Sequence, residues 1–319
     1  MPDRRVALVV GIDEYPTAAL NGCVNDAEAV RDLLERHSDG SPNFDVHLVT
    51  APAETVTRAS LKEHVSELFS QPNCDMALLY FSGHGTENDL GGYIVTPDAT
   101  KYDEGVSLTD VLTLANGSTA AERIIILDSC MSGAFGQVPA MGNNSANLPE
   151  GVSVLTASKA GQLSFEVGGR GVFTELLCGA LEGGAADVLG DVTAASVYSY
   201  VEQALGPWDQ RPLFKAHLSK VVPLRRTAPA VPLETLRMIP SWFATPDYEY
   251  PLDPTFEDQV SGFDPSNVAI FKKLQKCRDA KLVEAVNAEF MYFAAINSTA
   301  CRLTPLGRHF WRLAQAGRI

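Results

Sequence analysis

Two apolar runs stop abruptly in this chain: ALLYFSGHGTENDL at residues 77–90 and ERIIILDSCMSGAFG at residues 122–136. Neither run alternates with polar residues. A strand that is apolar on both faces has to be covered on both faces, which requires a sheet sandwiched between helices. The surrounding sequence supplies those helices. RRVALVVGI, FDVHLVT and GVSVLTAS read as further short strands, whereas CVNDAEAVRDLLERH, RASLKEHVSELF, LTDVLTLA, VFTELLCGALEG and AASVYSYVEQAL carry helical periodicity. A last strand is expected around LFKAHLSKVV, and the Gly/Asn-rich stretch 133–151 reads as a long loop. The rhythm predicts an α/β fold of three layers with a mainly parallel sheet flanked by helices.

At 319 residues the chain is long for one domain. The expected division is an α/β domain over 1–224, a linker rich in proline and aromatics over 225–265, and a small mostly helical module, winged-helix-like, over 266–319. No apolar run reaches the ~18 residues that a membrane span needs. The run Val6 to Ile12 is too short for a secretory leader, so a cytoplasmic location is expected. Six scattered cysteines without a CxxC pair support neither a disulfide framework nor a zinc site.

The formal charge of −14 argues against general nucleic-acid binding. It is unevenly spread. From Ser261 onward nine Lys plus Arg face four Asp plus Glu, and residues 1–260 hold 16 against 35. Lys272, Lys273, Lys276, Lys281, Arg302, Arg308 and Arg312 therefore leave a DNA-binding reading open. The favoured reading is a protein-interaction module whose core holds Phe290, Tyr292, Phe293, Phe310 and Trp311.

In open α/β sheets, sites form at the carboxyl ends of strands. His84 and Cys130 both stand there, 46 residues apart. A thiol becomes a strong nucleophile when an imidazole takes its proton, so this pair suffices for acyl transfer. The backbone N–H groups of Gly85 and Cys130 are the candidates to hold the developing oxyanion. His37, His47, His64, His217 and His309 have no comparable surroundings and read as surface or packing residues.

FSGHG and LDSCMSG, together with ALVVGIDEYP, LNGCVNDAEAV, TASKAGQLSFE and GVFTELLCGALEGGAAD, resemble the motifs of the caspase-like cysteine peptidases. The likeness spans residues 4–224 and is closer to metacaspases and the prokaryotic orthocaspases than to animal caspases. It implies a caspase-like fold and a His84–Cys130 dyad. It also implies an acidic pocket for the side chain before the cut bond, formed by Asp26 and Asp128 with Cys23 and Ser82 on its wall. Such a pocket selects arginine or lysine. Calcium, which many metacaspases need, is the one cofactor left open: Asp98, Asp103 and Asp110 are a thinned version of the family's cluster.

No Lys or Arg lies between Cys130 and Lys159, so self-cleavage is expected only later, at Lys159, Arg170 or the Arg225–Arg226 pair. The expected role is a gated bacterial protease of signalling, cell death or antiviral defence, acting on protein substrates and triggered by an upstream sensor or activating protease. Two alternatives stay open: a catalytically silent scaffold, and a DNA-associated regulator acting through its basic tail.

Overall fold

The structure, a computed structural model, describes residues 3–51, 55–89, 91–129, 148–157, 166–167, 170–205, 212–218 and 220–319. The chain divides into two compact units: residues 1–186 with 191–227, and residues 187–190 with 228–319.

In the first unit, β1 (Arg5–Ile12), α1 (Cys23–Glu35), β2 (Asp45–Ala51), α2 (Arg58–Phe69) and β3 (Met76–Ser82) follow the apolar runs and helical periods of the sequence. A small antiparallel sheet comes next, made of β4 (Gly85–Asn88), β5 (Gly91–Thr100) and β6 (Asp103–Ser107). After it run α3 (Leu108–Gly117), β7 (Glu122–Asp128), β8 (Val152–Thr156), the two-residue strands β9 (Glu166–Val167) and β10 (Arg170–Gly171), and α4 (Val172–Gly179), which continues into a π-helical turn. The unit closes with β11 (Asp191–Thr193), α5 (Ala194–Leu205), β12 (Leu213–His217) and β13 (Pro223–Arg226).

The main sheet has the order β12-β8-β7-β3-β1-β2. All its pairings are parallel except β12 with β8. Alternation along β1 explains why its apolar run has no polar member. Val6, Leu8, Val10 and Ile12 pack in a core with Leu61 and Val65 of α2 and Val111 of α3. Ala7 and Val9 enter a second core with Val30 of α1, Leu177 of α4 and Val197 of α5. The three layers are thus two helical ones around a sheet buried on both sides. From β1 the chain steps to β2 on one side and then to β3 on the other, so the strand order reverses between β1 and β3. Their carboxyl ends flank the crevice where such sheets place a site.

The second unit corrects the expected boundary, because the stretch read as a linker is part of its core. It contains α6 (Leu233–Trp242), β14 (Tyr250–Pro251), α7 (Pro265–Asp279), β15 (Val283–Val286), α8 (Met291–Ile296), β16 (Ala300–Leu303) and α9 (Pro305–Gln315). Leu236, Ile239, Phe243, Leu252 and Phe256 pack with Phe271, Leu274 and Leu303. The prolines that suggested a tether are built into elements instead: Pro232 stands just before α6, Pro240 lies inside it, Pro251 belongs to β14, and Pro265 opens α7 behind its cap Asp264. A three-stranded antiparallel sheet of order β14-β16-β15 accompanies the helices.

Two further expectations for this unit change. Phe310 is buried and the indole N–H of Trp311 donates to Phe243 O at 2.7 Å, but Phe290, Tyr292 and Phe293 are each more than 40% exposed and lie outside the core. Much of the basic face is also neutralised locally. Lys272 pairs with Asp258, Arg302 with Glu284 and Glu249, and Arg308 with Asp247. Among the described residues, no helix is long and apolar enough to cross a membrane.

Candidate active site

The end of β3 explains why the apolar run stops at Ser-Gly-His-Gly. A Cβ on Gly83 would lie 2.6 Å from both the Tyr15 hydroxyl and the Phe81 ring, so only glycine lets the chain turn there. The space serves Tyr15. Its hydroxyl accepts from the His84 N–H at 3.0 Å and donates to Val95 O at 3.3 Å, while its ring sits 4.5 Å from the imidazole. His84 O in turn accepts from the Val95 N–H at 3.0 Å. A phenolic hydroxyl thus stands in for one rung of the ladder between His84 and Val95. Burial raises its pKa, so it remains a neutral donor.

The next pair, Gly85 opposite Ile94, is of the non-hydrogen-bonded kind, so the Gly85 N–H points away from β5. The imidazole is fixed from the other side as well. His84 Nε2 meets Ala18 O at 2.6 Å. A carbonyl can only accept, so Nε2 carries the proton and Nδ1 is left as the basic nitrogen. The loop bearing Ala18 is tied down by Asp13, whose carboxylate accepts from the N–H groups of Cys23 and Val24 at 2.8 and 3.2 Å.

Ser82 of β3 is in register with Asp128 of β7. From these two strand ends the sequence reaches His84 and Cys130, two residues on in each case. Cys130 and Lys159 lie outside the described residues.

The four residues expected to line the pocket come together. Asp26, at the start of α1, accepts from Ser82 Oγ at 3.1 Å and from the Gly171 N–H at 3.1 Å. Asp128 accepts from Thr174 Oγ1 at 2.7 Å. Since that hydroxyl donates to the carboxylate, the Tyr80 hydroxyl, 2.5 Å from Thr174 Oγ1, donates to it in turn. A Cβ on Gly171 would lie 2.5 Å from Asp128 Oδ2 and 3.0 Å from Asp26 Oδ2, so both carboxylates flank the same backbone atom.

Asp26, Asp128, Ser82 and Cys23 are all nearly inaccessible. Their field is felt nearby. Burial, with a further push from Asp128 and Asp26, holds the Tyr80 hydroxyl well above its ordinary pKa. Burial first, and then the charges of Asp13, Asp26 and Asp128, raise the Cys23 thiol despite its Ser82 hydrogen bond. Cys23 is therefore a neutral thiol and not a second nucleophile.

The aspartates considered for calcium are not gathered around a common point. Asp98 accepts from the Arg58 N–H and Thr96 Oγ1, Asp103 pairs with the Arg58 guanidinium, and Asp110 pairs with Lys62 at 2.7 Å. Among the described residues no three His, Cys, Asp or Glu are grouped to hold a metal ion. The Arg225–Arg226 pair is also less open than expected. Arg225 is buried and donates to Arg36 O and Leu181 O, leaving only Arg226 exposed. Sequence reasoning missed Tyr15, Ala18, Gly171 and Thr174, which act through a hydroxyl or the main chain at long sequence separation. The one signal available was that Tyr15, Gly171 and Thr174 stand inside stretches already singled out.

A family model described as the caspase domain matches residues 4–223. No curated protein sequence matches the chain. Among solved structures, the crystal structure of protein GSU0716 from Geobacter sulfurreducens is similar with a TM-score of 0.50 at 19% identity, over 71% of this chain and 98% of that one. At that identity the likeness is one of fold. The family match takes in both strand-end motifs and most of the chain, and the chain accordingly belongs to the caspase family of cysteine peptidases.

Proposed function

We propose that this peptidase is metacaspase- or orthocaspase-like and cuts protein chains after arginine, or less readily lysine, with His84 and Cys130 as its dyad. The observation that carries the specificity is the pair of buried carboxylates, Asp26 and Asp128, on either side of Gly171. Two negative groups held in place by hydrogen bonds favour a cationic side chain, and a guanidinium can engage both. An aspartate in that pocket would meet like charge.

The chemistry follows from the tautomer of His84. Nδ1 takes the proton of the Cys130 thiol, and the thiolate attacks the carbonyl carbon of the basic residue. The oxyanion is held by the outward Gly85 N–H and the Cys130 N–H. Collapse breaks the C–N bond, His84 returns its proton to the leaving amine, and a thioester remains on Cys130. Water, deprotonated by Nδ1, then releases the acid and restores the thiol. Throughout, Ala18 O stabilises the imidazolium form through Nε2–H. In the cell, the reading is a gated cytoplasmic protease of bacterial signalling, cell death or antiviral defence, a role that rests on likeness to family members with appended domains.

The test is cleavage of fluorogenic peptides that differ only in Arg, Lys or Asp before the reporter. Arg-selective turnover that Cys130→Ala abolishes supports dyad and pocket together. Asp-selective turnover overturns the pocket assignment and spares the dyad. Asp128→Asn is expected to lower kcat/KM for the Arg peptide by about 100-fold, the scale of losing one partner of a buried ion pair.

A further inference from the structure

A cavity of about 330 Å³ lies beside the Tyr15 ring, lined by Glu14, Tyr15, Pro16, Ala51, Thr55, Val56 and Pro97. None of these residues belongs to the acidic pocket. Its link to the chemistry is Tyr15, which shares its ring contact and its hydroxyl with His84. Asp26 and Asp128 are reached instead through Ser82, Gly171 and Thr174.

The reaction fixes which part of a substrate comes to each place. With the basic side chain in the acidic pocket and the carbonyl carbon at Cys130, the leaving nitrogen has to reach His84 for its proton. The residue that owns this nitrogen therefore emerges on the histidine side of the cleft, where Tyr15 forms the wall.

We propose that this cavity receives the side chain of the residue that follows the cut bond, a proposal that rests on the endopeptidase reading above. Its lining states what it takes. Pro16 and Pro97 present apolar surface over the buried Ala51 and Val56, while Glu14 and Thr55 are exposed. An aliphatic body fits this surface, and a basic or neutral tip suits the Glu14 carboxylate. An acidic side chain is repelled. The substrate class is thus a basic residue followed by an aliphatic or basic one, with acids excluded at the second place.

The experiment uses the full chain and internally quenched peptides with Arg before the cut bond and Gly, Val, Lys or Asp after it. The wild type is expected to prefer Val and Lys over Asp by about tenfold, the scale of one pocket contact. Thr55→Trp, which fills the cavity from its exposed side, is expected to lower the Val-to-Gly ratio of kcat/KM about tenfold. Glu14→Lys is expected to raise the Asp-to-Lys ratio by a similar factor. Ratios that stay at wild-type values in both variants overturn the subsite alone, as does a change confined to the preference before the bond. Absence of any cleavage after Arg in the wild type overturns the endopeptidase reading and the subsite with it.

Discussion

The Tyr15 hydroxyl is the residue-scale feature with the clearest consequence. It completes a backbone ladder at His84 and touches nothing that reacts. Tyr15→Phe keeps the ring against the imidazole and leaves the His84 N–H and Val95 O without their bridge. The expected outcome in steady-state kinetics with an Arg peptide is a kcat lower by about tenfold with KM within about twofold, because a small displacement of a general base costs rate more than binding. Thr174 should behave in the opposite way. Thr174→Val removes the donor to Asp128 and the acceptor for Tyr80, so KM for the Arg peptide should rise. Thermal denaturation should register a loss of about 1–3 kcal/mol for the two lost hydrogen bonds. The positions of His84, Asp26, Ser82 and Asp128 were legible in the sequence because each sits in a short motif at a strand or helix end. Thr174 was not, although it stands inside the singled-out stretch GVFTELLCGALEGGAAD: there it looks like any polar residue in an amphipathic helix, and its hydrogen bond to Asp128 reaches 46 positions away in the chain.

At the scale of elements, continuous apolar runs and helical periods marked the strands and helices of the main sheet, since burial on both faces leaves no other pattern open. The antiparallel sheet β4–β6 escaped that reading. Its residues alternate and include glycines and charges, because one face only is covered. The sense of β12 was also not written in its composition, because pairing direction is set by where the chain arrives. Gly83 joins the two sheets and gives a test at this scale. Gly83→Ala places a methyl 2.6 Å from the Tyr15 hydroxyl and the Phe81 ring. Urea denaturation is expected to show a loss of about 1–3 kcal/mol, and the His84 loop should shift enough to lower peptide cleavage beyond what the unfolded fraction explains.

At the scale of the whole molecule, the second unit begins close to where the caspase match ends, and its own core was hidden in a stretch whose many prolines read as a linker. Glu257 in this unit is buried, with one carboxylate oxygen lacking a hydrogen-bond partner, and burial, followed by repulsion from Asp258, raises its pKa. A raised carboxylate pKa means the folded state holds the proton more tightly than the unfolded chain does. The resulting penalty is absent below the ordinary carboxylate value and grows as pH rises through the folded one. Glu257→Gln should therefore raise the melting midpoint at neutral pH by about 3 °C, with the gain vanishing near pH 3.

The paired strand ends also bear on how such a protein changes over generations. On the proposed reading, recognition and reaction are two sequence positions apart at the ends of two neighbouring strands, Ser82 before His84 and Asp128 before Cys130, while Asp26 arrives on a separate helix. A lineage can therefore exchange the carboxylates one at a time and acquire a new diet with the cutting tool untouched. A one-residue shift in either strand, by contrast, would cost both at once.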